Sequence, residues 1–134
     1  MSEQENDDKM KCEGEVTGTA NILRDSPWFS SEDLLAVGGK DTVTIEKINK
    51  YTNVTFQQGR KKPLAYALKF KEYKREYVMN GINRKGLIEC FGIKLLEWKG
   101  KRAVFFVDPS VLIGGKKVNG VRLDVEATKK ANKQ

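Results

Sequence analysis

Basic side chains and tyrosines occur together between residues 60 and 77, and this combination can bind a chain of phosphates that carries aromatic bases. Cationic side chains attract phosphates, and a tyrosine ring stacks on an unpaired base, which stabilises a complex by roughly 1 to 3 kcal/mol per base. The residues predicted to do this are Arg60, Lys61, Lys62, Lys69, Tyr73 and Arg75. In this assignment the three consecutive cations contact phosphates, Lys69 and Arg75 line the path of the strand, and Tyr73 stacks.

Two other interpretations of this cluster stay open at the level of the sequence. Lysine and arginine are common on any soluble surface, so the cations are equally consistent with a surface that only interacts with water. Tyr66 shares a strand face with Leu64 and Leu68, which favours a place in the core over a place in a binding surface. Tyr73 falls in a predicted turn and is therefore the preferred stacking residue.

Few residues in the chain are suited to catalysis or metal binding. The sequence has no histidine, the usual general base and a common zinc ligand, and its two cysteines form no CxxC motif. Cys90 falls in an apolar helical pattern, which indicates a small buried hydrophobe. The carboxylates available for a two-metal site have no diagnostic spacing and are Asp41, Glu72, Glu76, Glu89, Asp108 and Asp124. The sequence therefore predicts a non-enzymatic protein with no catalytic residue, metal or cofactor.

The charge is unevenly distributed along the chain. The 134 residues correspond to about one domain and have 25 basic and 18 acidic side chains, a net charge of +7. Residues 1–39 contain nine acidic and three basic side chains, a net charge of −6, which leaves +13 for residues 40–134. We predict a disordered acidic tail at 1–19, one domain with an N-terminal arm at 20–126, and a basic tail at 127–134. The acidic tail either covers the basic domain electrostatically or is simply solvated.

The expected location follows from two absences in the sequence. No segment approaches the ~20 consecutive apolar residues that a membrane-spanning helix needs. The acidic N-terminus also lacks the basic and apolar regions of a secretory signal. We therefore expect a cytoplasmic protein that does not contact a membrane.

Apolar residues recur mostly with a period of two, which predicts β-strands separated by short turns. Strands are predicted at residues 42–48, 64–70, 76–79, 102–107, 116–118 and 121–126, and helices at 30–36 and 81–91. Asn80 is the expected cap of the longer helix, and Asn119-Gly120 is the expected turn of the last hairpin. Trp98 is expected to be a buried anchor where the chain returns from this helix to the sheet.

The order of the main elements is three strands, a helix and further strands. This is the order of the OB-fold, a five-stranded, partly open antiparallel barrel that binds oligonucleotides or oligosaccharides on one face. We therefore predict an α+β, mainly β domain, an OB-like antiparallel barrel or curved sheet with one helix between the third and fourth strands. The alternative is a different small antiparallel sheet covered by one helix.

From Ser31 onward the chain resembles a group of small bacteriophage proteins. The matching stretches are residues 31–34, Ser-Glu-Asp-Leu; 39–45, Gly-Lys-Asp-Thr-Val-Thr-Ile; 62–63, Lys-Pro; 80–92; 98–102, Trp-Lys-Gly-Lys-Arg; and 115–123, Gly-Lys-Lys-Val-Asn-Gly-Val-Arg-Leu. Such proteins are often encoded near replication and recombination genes. The resemblance covers about three quarters of the chain and implies a DNA-linked role in the cytoplasm of a host cell.

Charge, tyrosines, element order and resemblance together predict a non-enzymatic nucleic-acid-binding protein that prefers single-stranded DNA, an accessory of phage replication or recombination. The alternative is a phage module that binds or inhibits a host protein through the acidic tail and Trp28-Phe29. An exposed Trp28-Phe29 pair would favour this alternative, whereas burial of the pair would mean that it packs the arm onto the sheet.

Overall fold

The fold is one open antiparallel sheet of five strands, in the order β3-β2-β1-β4-β5. This computed structural model describes residues 10–56 and 61–133. The strands are β1 (Lys40–Thr55), β2 (Lys61–Phe70), β3 (Tyr77–Val78), β4 (Arg102–Ile113) and β5 (Lys116–Leu123). The α-helices are α1 (Ser31–Leu35), α2 (Gly81–Phe91) and α3 (Val125–Ala131), and 3-10 turns lie at Ala20–Leu23 and Leu95–Trp98.

Strand β1 joins the two halves of the sheet because it is 16 residues long and changes partner along its length. Its first residues pair with β4, from Lys40 opposite Phe106 to Thr44 opposite Arg102. From Ile45 onward it pairs with β2, and an irregularity in the register at Ile45 marks the change. The end strands β3 and β5 are not paired with each other in the described part of the chain, so the sheet stays open.

The prediction of a mainly β, antiparallel fold is confirmed, but the arrangement of the helices differs from the single helix of the predicted barrel. Three helices accompany the sheet: α1 precedes β1, α2 lies between β3 and β4, and α3 follows β5. The sequence does not predict α3, because the basic residues of this helix are typical of an exposed tail. Asp124 caps its first turn by accepting from Ala127 N at 3.0 Å, and the buried Thr128 accepts from Val104 N at 2.9 Å. The predicted boundary of a basic tail at residue 127 therefore falls inside a helix that is docked on β4.

The last hairpin turns at a different place from the one predicted. Gly114 and Gly115 connect β4 to β5, and both have positive φ (58° and 80°), as a two-residue hairpin turn of type I′ requires. Asn119 and Gly120 lie inside β5 instead, and Gly120 pairs with Asp108 beside a bulge in β4. A Cβ on Gly120 would lie 2.5 Å from a methyl group of Val111, so this glycine allows a close approach of side chain to backbone. The Asn-Gly pair is therefore a packing feature.

The core fills the space between the sheet and the helices. Leu34, Ile45, Phe70, Leu87 and Phe105 are completely buried there. Burial of a side chain of this kind contributes roughly 1.5 to 3 kcal/mol relative to full exposure. The rings of Phe70 and Phe105 pack with their centroids 5.6 Å apart, which ties β2 to β4 across β1.

Helix α2 begins and ends where the sequence predicts. The side chain of Asn80 accepts from Asn83 N at 2.8 Å, and the helix ends at Phe91 before Gly92. Asn83 is buried, donates to Val121 O at 2.7 Å and accepts from Leu123 N at 3.1 Å, so the helix covers part of the free edge of β5. Trp98 is 2% exposed and donates to Gly92 O at 3.0 Å, which confirms the predicted anchor.

The chain before α1 divides into two parts. Residues 10–19 are exposed and belong to no helix or strand, and the first nine residues of the predicted acidic tail lie outside the described part. The arm that follows packs on the sheet, as predicted: Phe29 is 5% exposed, and Trp28 forms a bridge with Glu76. Among the described residues, no helix combines the length and the apolar surface needed to cross a membrane.

Candidate nucleic-acid interface

A groove of about 500 Å³ separates β2 from α2 and the 3-10 turn that follows this helix. We call it the β2–α2 groove. The side chains that determine its chemistry are Lys62, Leu64, Tyr66, Arg84, Ile88 and Leu95. Its wall is mainly apolar, with two cations, the exposed ring of Tyr66 and the largely buried ring of Trp98, and none of the described residues that line it is acidic. The groove therefore offers an apolar and aromatic surface in a positive electrostatic environment.

Tyr66 is exposed in this groove, contrary to the prediction that it lies in the core. Its relative exposure is 47% and that of Leu64 is 38%, whereas Leu68 and Phe70 on the same strand are fully buried. Apolar residues do alternate along β2, but on this face of the strand the core covers Leu68 and Phe70 only. Leu64 and Tyr66, earlier on the same face, border the groove.

Within the described part of the chain, the two cations of the groove make no ion pair. Lys62, near the start of β2, and Arg84, in the second turn of α2, are exposed. In the part of the chain that the structure describes, neither side chain has a hydrogen bond or lies within 4.0 Å of a carboxylate. Their charges are therefore available to an external anion. Sequence analysis did not select Arg84, although its place one turn after the cap of the helix was a usable signal.

The other predicted contact residues are divided between this groove and a distant cluster. Lys62 lines this groove, whereas Lys61, which is exposed beside it at the start of β2, lines a neighbouring depression. Arg60 lies outside the described residues. Lys69, Tyr73 and Arg75 are involved in contacts that hold the N-terminal arm and the β2–β3 connection in place.

Arg75 is the centre of what we call the arm cluster, formed by Arg24, Asp33, Arg75 and the backbone of the arm. The Asp33 carboxylate is 3% exposed and accepts from Arg75 at 2.8 Å and from Arg24 at 3.3 Å. Arg75 also donates to the backbone carbonyls of Asn21 (2.8 Å), Arg24 (2.9 Å) and Ser26 (3.0 Å). Because these contacts occupy its donors, Arg75 binds the arm to the sheet and has little capacity left for a phosphate.

Tyr73 and Lys69 are also committed to internal contacts. The Tyr73 ring packs edge-on against Phe29 at 4.9 Å, and its hydroxyl donates to Asp41 at 2.6 Å. Burial, followed by this hydrogen bond, raises the pKa of Tyr73 above its ordinary value. Lys69 donates to the carbonyls of Phe70 and Tyr73 at 2.5 and 2.6 Å. The aromatic ring available for stacking is consequently Tyr66 and not Tyr73.

The groups considered for catalysis have structural partners. Burial raises the pKa of the Cys90 thiol, which lowers its fraction of reactive thiolate. Each of the six candidate carboxylates accepts from a protein donor; for example, Asp108 pairs with Arg122 at 3.0 Å and Glu89 with Lys129 at 2.9 Å. The described residues contain no group of three or more side chains that could hold a metal ion together.

Comparison with known proteins leaves only the geometry of this chain to indicate a function. No family model, no curated protein and no solved structure matches the chain. The decisive feature is therefore the β2–α2 groove itself, which holds in one concave surface an exposed tyrosine and two cations that have no ion-pair partner among the residues described.

Proposed function

We propose that this protein binds nucleic acid, with a preference for single strands, in the β2–α2 groove and that it catalyses no reaction. The single observation that carries the proposal is that Tyr66, Lys62 and Arg84 line one groove and are exposed in it. Aromatic stacking beside a positive surface is the usual way in which proteins hold an unpaired strand. Tyr66 stacks on a base, and the two cations contact neighbouring phosphates.

The preference for single strands follows from the size and composition of the groove. A volume of about 500 Å³ is within the range of small-molecule sites and has room for unpaired bases. In a duplex the bases are already stacked and paired, so only the backbone can reach a groove of this size. A duplex therefore gains the phosphate contacts but not the contact with Tyr66.

The sheet is compatible with an OB-like architecture, which forms part of the proposal. In the OB-fold, the face formed by the second and third strands and the loops next to it bind oligonucleotides. Here β2 and the segment after β3 form one side of the groove. On the basis of the resemblance of the sequence to small bacteriophage proteins, we also propose that the protein is a phage accessory of replication or recombination that acts in the cytoplasm of the host cell.

The test is fluorescence anisotropy with a labelled single strand of about 12 nucleotides and with the corresponding duplex, between about 50 and 200 mM salt. We expect tighter binding of the single strand and a loss of affinity as salt rises. Lys62→Glu should weaken binding several-fold at the lowest salt. Lys74→Glu makes the same charge change at an exposed site outside the groove and should have a much smaller effect. Equal losses in the two variants, or no binding at low salt, would refute the groove as the site.

A protein-interaction module is the second candidate. This alternative depended on an exposed Trp28-Phe29 pair, but Phe29 is buried. Ile93 and Leu96 favour it instead, because they are 83% and 78% exposed beside the end of α2. If nucleic acid does not bind, we expect a protein partner whose capture persists at high salt and is lost in an Ile93→Ser, Leu96→Ser double variant.

A further inference from the structure

The β2–α2 groove continues beyond the residues that bind the proposed base. A second depression, of about 580 Å³, shares Lys62, Val78 and Asn80 with it and also includes Lys61. A third, of about 680 Å³, shares Val78 and Asn80 with the first two. Because each depression shares lining residues with the next, the three depressions adjoin one another around Asn80, and we call the surface that they form together the trough.

The far end of this trough lies at the open side of the sheet, and we call it the seam groove. It is lined by Trp28 and Phe56 on one side and by residues of the β4–β5 hairpin, among them Lys116 and Val118, on the other. It exists because β3 has only two residues and does not reach β5. Asn83 bonds to β5 only at Val121 and Leu123, so the earlier part of this strand borders the seam.

The seam groove repeats the chemistry of the β2–α2 groove. Trp28 contributes an aromatic surface, supported by Tyr51 at 5.3 Å and Phe56 at 6.2 Å. Lys116 contributes a cation that makes no ion pair or side-chain hydrogen bond within the described residues. Both ends of the trough therefore combine a ring with an available positive charge, and Lys61 and Lys62 lie between them.

We propose that the whole trough is the path of one single strand, which is held at two stations, Tyr66 in the β2–α2 groove and Trp28 with Lys116 in the seam groove. The ligand class is then an oligonucleotide of several nucleotides, neither a mononucleotide nor a duplex. This inference rests on the proposed function. When two stations hold one chain, binding at the second becomes intramolecular, so affinity rises steeply once a strand is long enough to reach both.

The experiment measures the affinity for single strands of about 3 to about 16 nucleotides. It compares three full-length proteins: the unchanged protein, Lys116→Glu and Lys117→Glu. Lys117 is the matched control because it neighbours Lys116, is exposed and does not line the trough. We expect affinity to rise with length and then level off. Lys116→Glu should lower affinity for the long strands by about 10-fold and flatten the dependence on length, whereas Lys117→Glu should preserve it.

Two results would overturn this inference while leaving the proposed function intact. One is an equal effect of Lys116→Glu and Lys117→Glu, which would show that only overall charge matters. The other is an affinity that levels off at about 3 nucleotides and depends on Lys62 but not on Lys116, which would confine binding to one station. If no strand of any length binds, the proposed function fails as well.

Discussion

The protein contains two sites that each combine a tyrosine with an arginine. In one site both side chains make internal contacts, and in the other both are exposed. In the arm cluster, Tyr73 packs on Phe29, and Arg75 pairs with the buried Asp33. In the β2–α2 groove, Tyr66 is 47% exposed and Arg84 has no partner among the described residues. The nearest carboxylate decides the difference: Asp33 is present in the cluster, whereas no acidic residue lines the groove in the described ranges 10–56 and 61–133.

This contrast teaches that a cation's availability depends on its three-dimensional neighbours and not on the density of charge around it in the sequence. The arm cluster should contribute to stability and little to binding, because its donors are occupied. The groove should contribute to binding and little to stability, because its side chains contact solvent. Perturbations that separate stability from affinity therefore test the comparison directly.

The largest effect is expected from removal of the charge at the centre of the arm cluster. Arg75→Ala leaves the buried Asp33 with only Arg24 as a cationic partner, and loss of one member of a buried ion pair costs about 3 to 5 kcal/mol. Urea unfolding should show this loss. Lys74→Ala, at the exposed neighbouring position, should change stability by less than about 0.5 kcal/mol. Similar stabilities for the two variants would contradict the role assigned to the cluster.

The second-largest effect is expected at alkaline pH, which should destabilise the fold around the buried tyrosines. Burial raises the pKa of Tyr77 to about 12, and it also raises the pKa of Tyr73. The unfolded chain loses the tyrosine proton near pH 10 while the folded chain keeps it. The stabilisation that comes from this difference in pKa is therefore fully present below pH 10. Above pH 10 the free energy of unfolding falls by about 1.4 kcal/mol per pH unit for each such tyrosine, until the pKa of the folded state is passed. Unfolding by urea between pH 9 and about 12 measures this slope.

The control for this pH dependence is Tyr77→Phe, which has no proton to lose at the buried position. The variant should be less stable at neutral pH, since Asn83 loses its hydroxyl partner. Its stability should, however, fall less steeply between pH 10 and about 12. An unchanged slope would assign the alkaline transition to other groups.

In the groove, Tyr66→Ala should reduce affinity and leave stability almost unchanged. Loss of one stacked base corresponds to roughly 1 to 3 kcal/mol of binding free energy, while the exposed ring contributes little to the core. Anisotropy with a single strand measures the first quantity and urea unfolding the second. Tyr66→Phe retains the ring and should retain most of the affinity. A Tyr66→Ala variant that binds normally would remove the stacking role from this residue.

The smallest effect is expected in the salt dependence. For single strands, each phosphate contact adds about 0.7 to the slope of log affinity against log salt concentration. Arg84→Glu should therefore lower the magnitude of the slope by about 0.7. Lys85→Glu, next to it on α2 but outside the groove, should have little effect. Equal slopes for the two variants would mean that the arginine contacts no phosphate.

Features that depend on neighbouring residues were predictable from the sequence. The start of α2 at Asn80 follows from a cap that accepts a bond within the same turn, and the strand character of β2 follows from its alternating side chains. The hairpin turn was misplaced because a Gly-Gly pair and an Asn-Gly pair can both form a two-residue turn. Pairing of Gly120 with Asp108 decided between them, and that contact joins distant parts of the chain.

The mainly β class, the helix after β3 and the excess of positive charge follow from local sequence patterns. Which cations are available and which tyrosine is exposed depend instead on how the chain packs in three dimensions. The physical reason is that availability depends on partners far away in the chain: Asp33 reaches Arg75 across 42 positions, and Asp41 reaches Tyr73 across 32. On the strand face that carries Leu64, Tyr66, Leu68 and Phe70, the core covers Leu68 and Phe70 and leaves Tyr66 exposed, and no local pattern specifies where that cover ends.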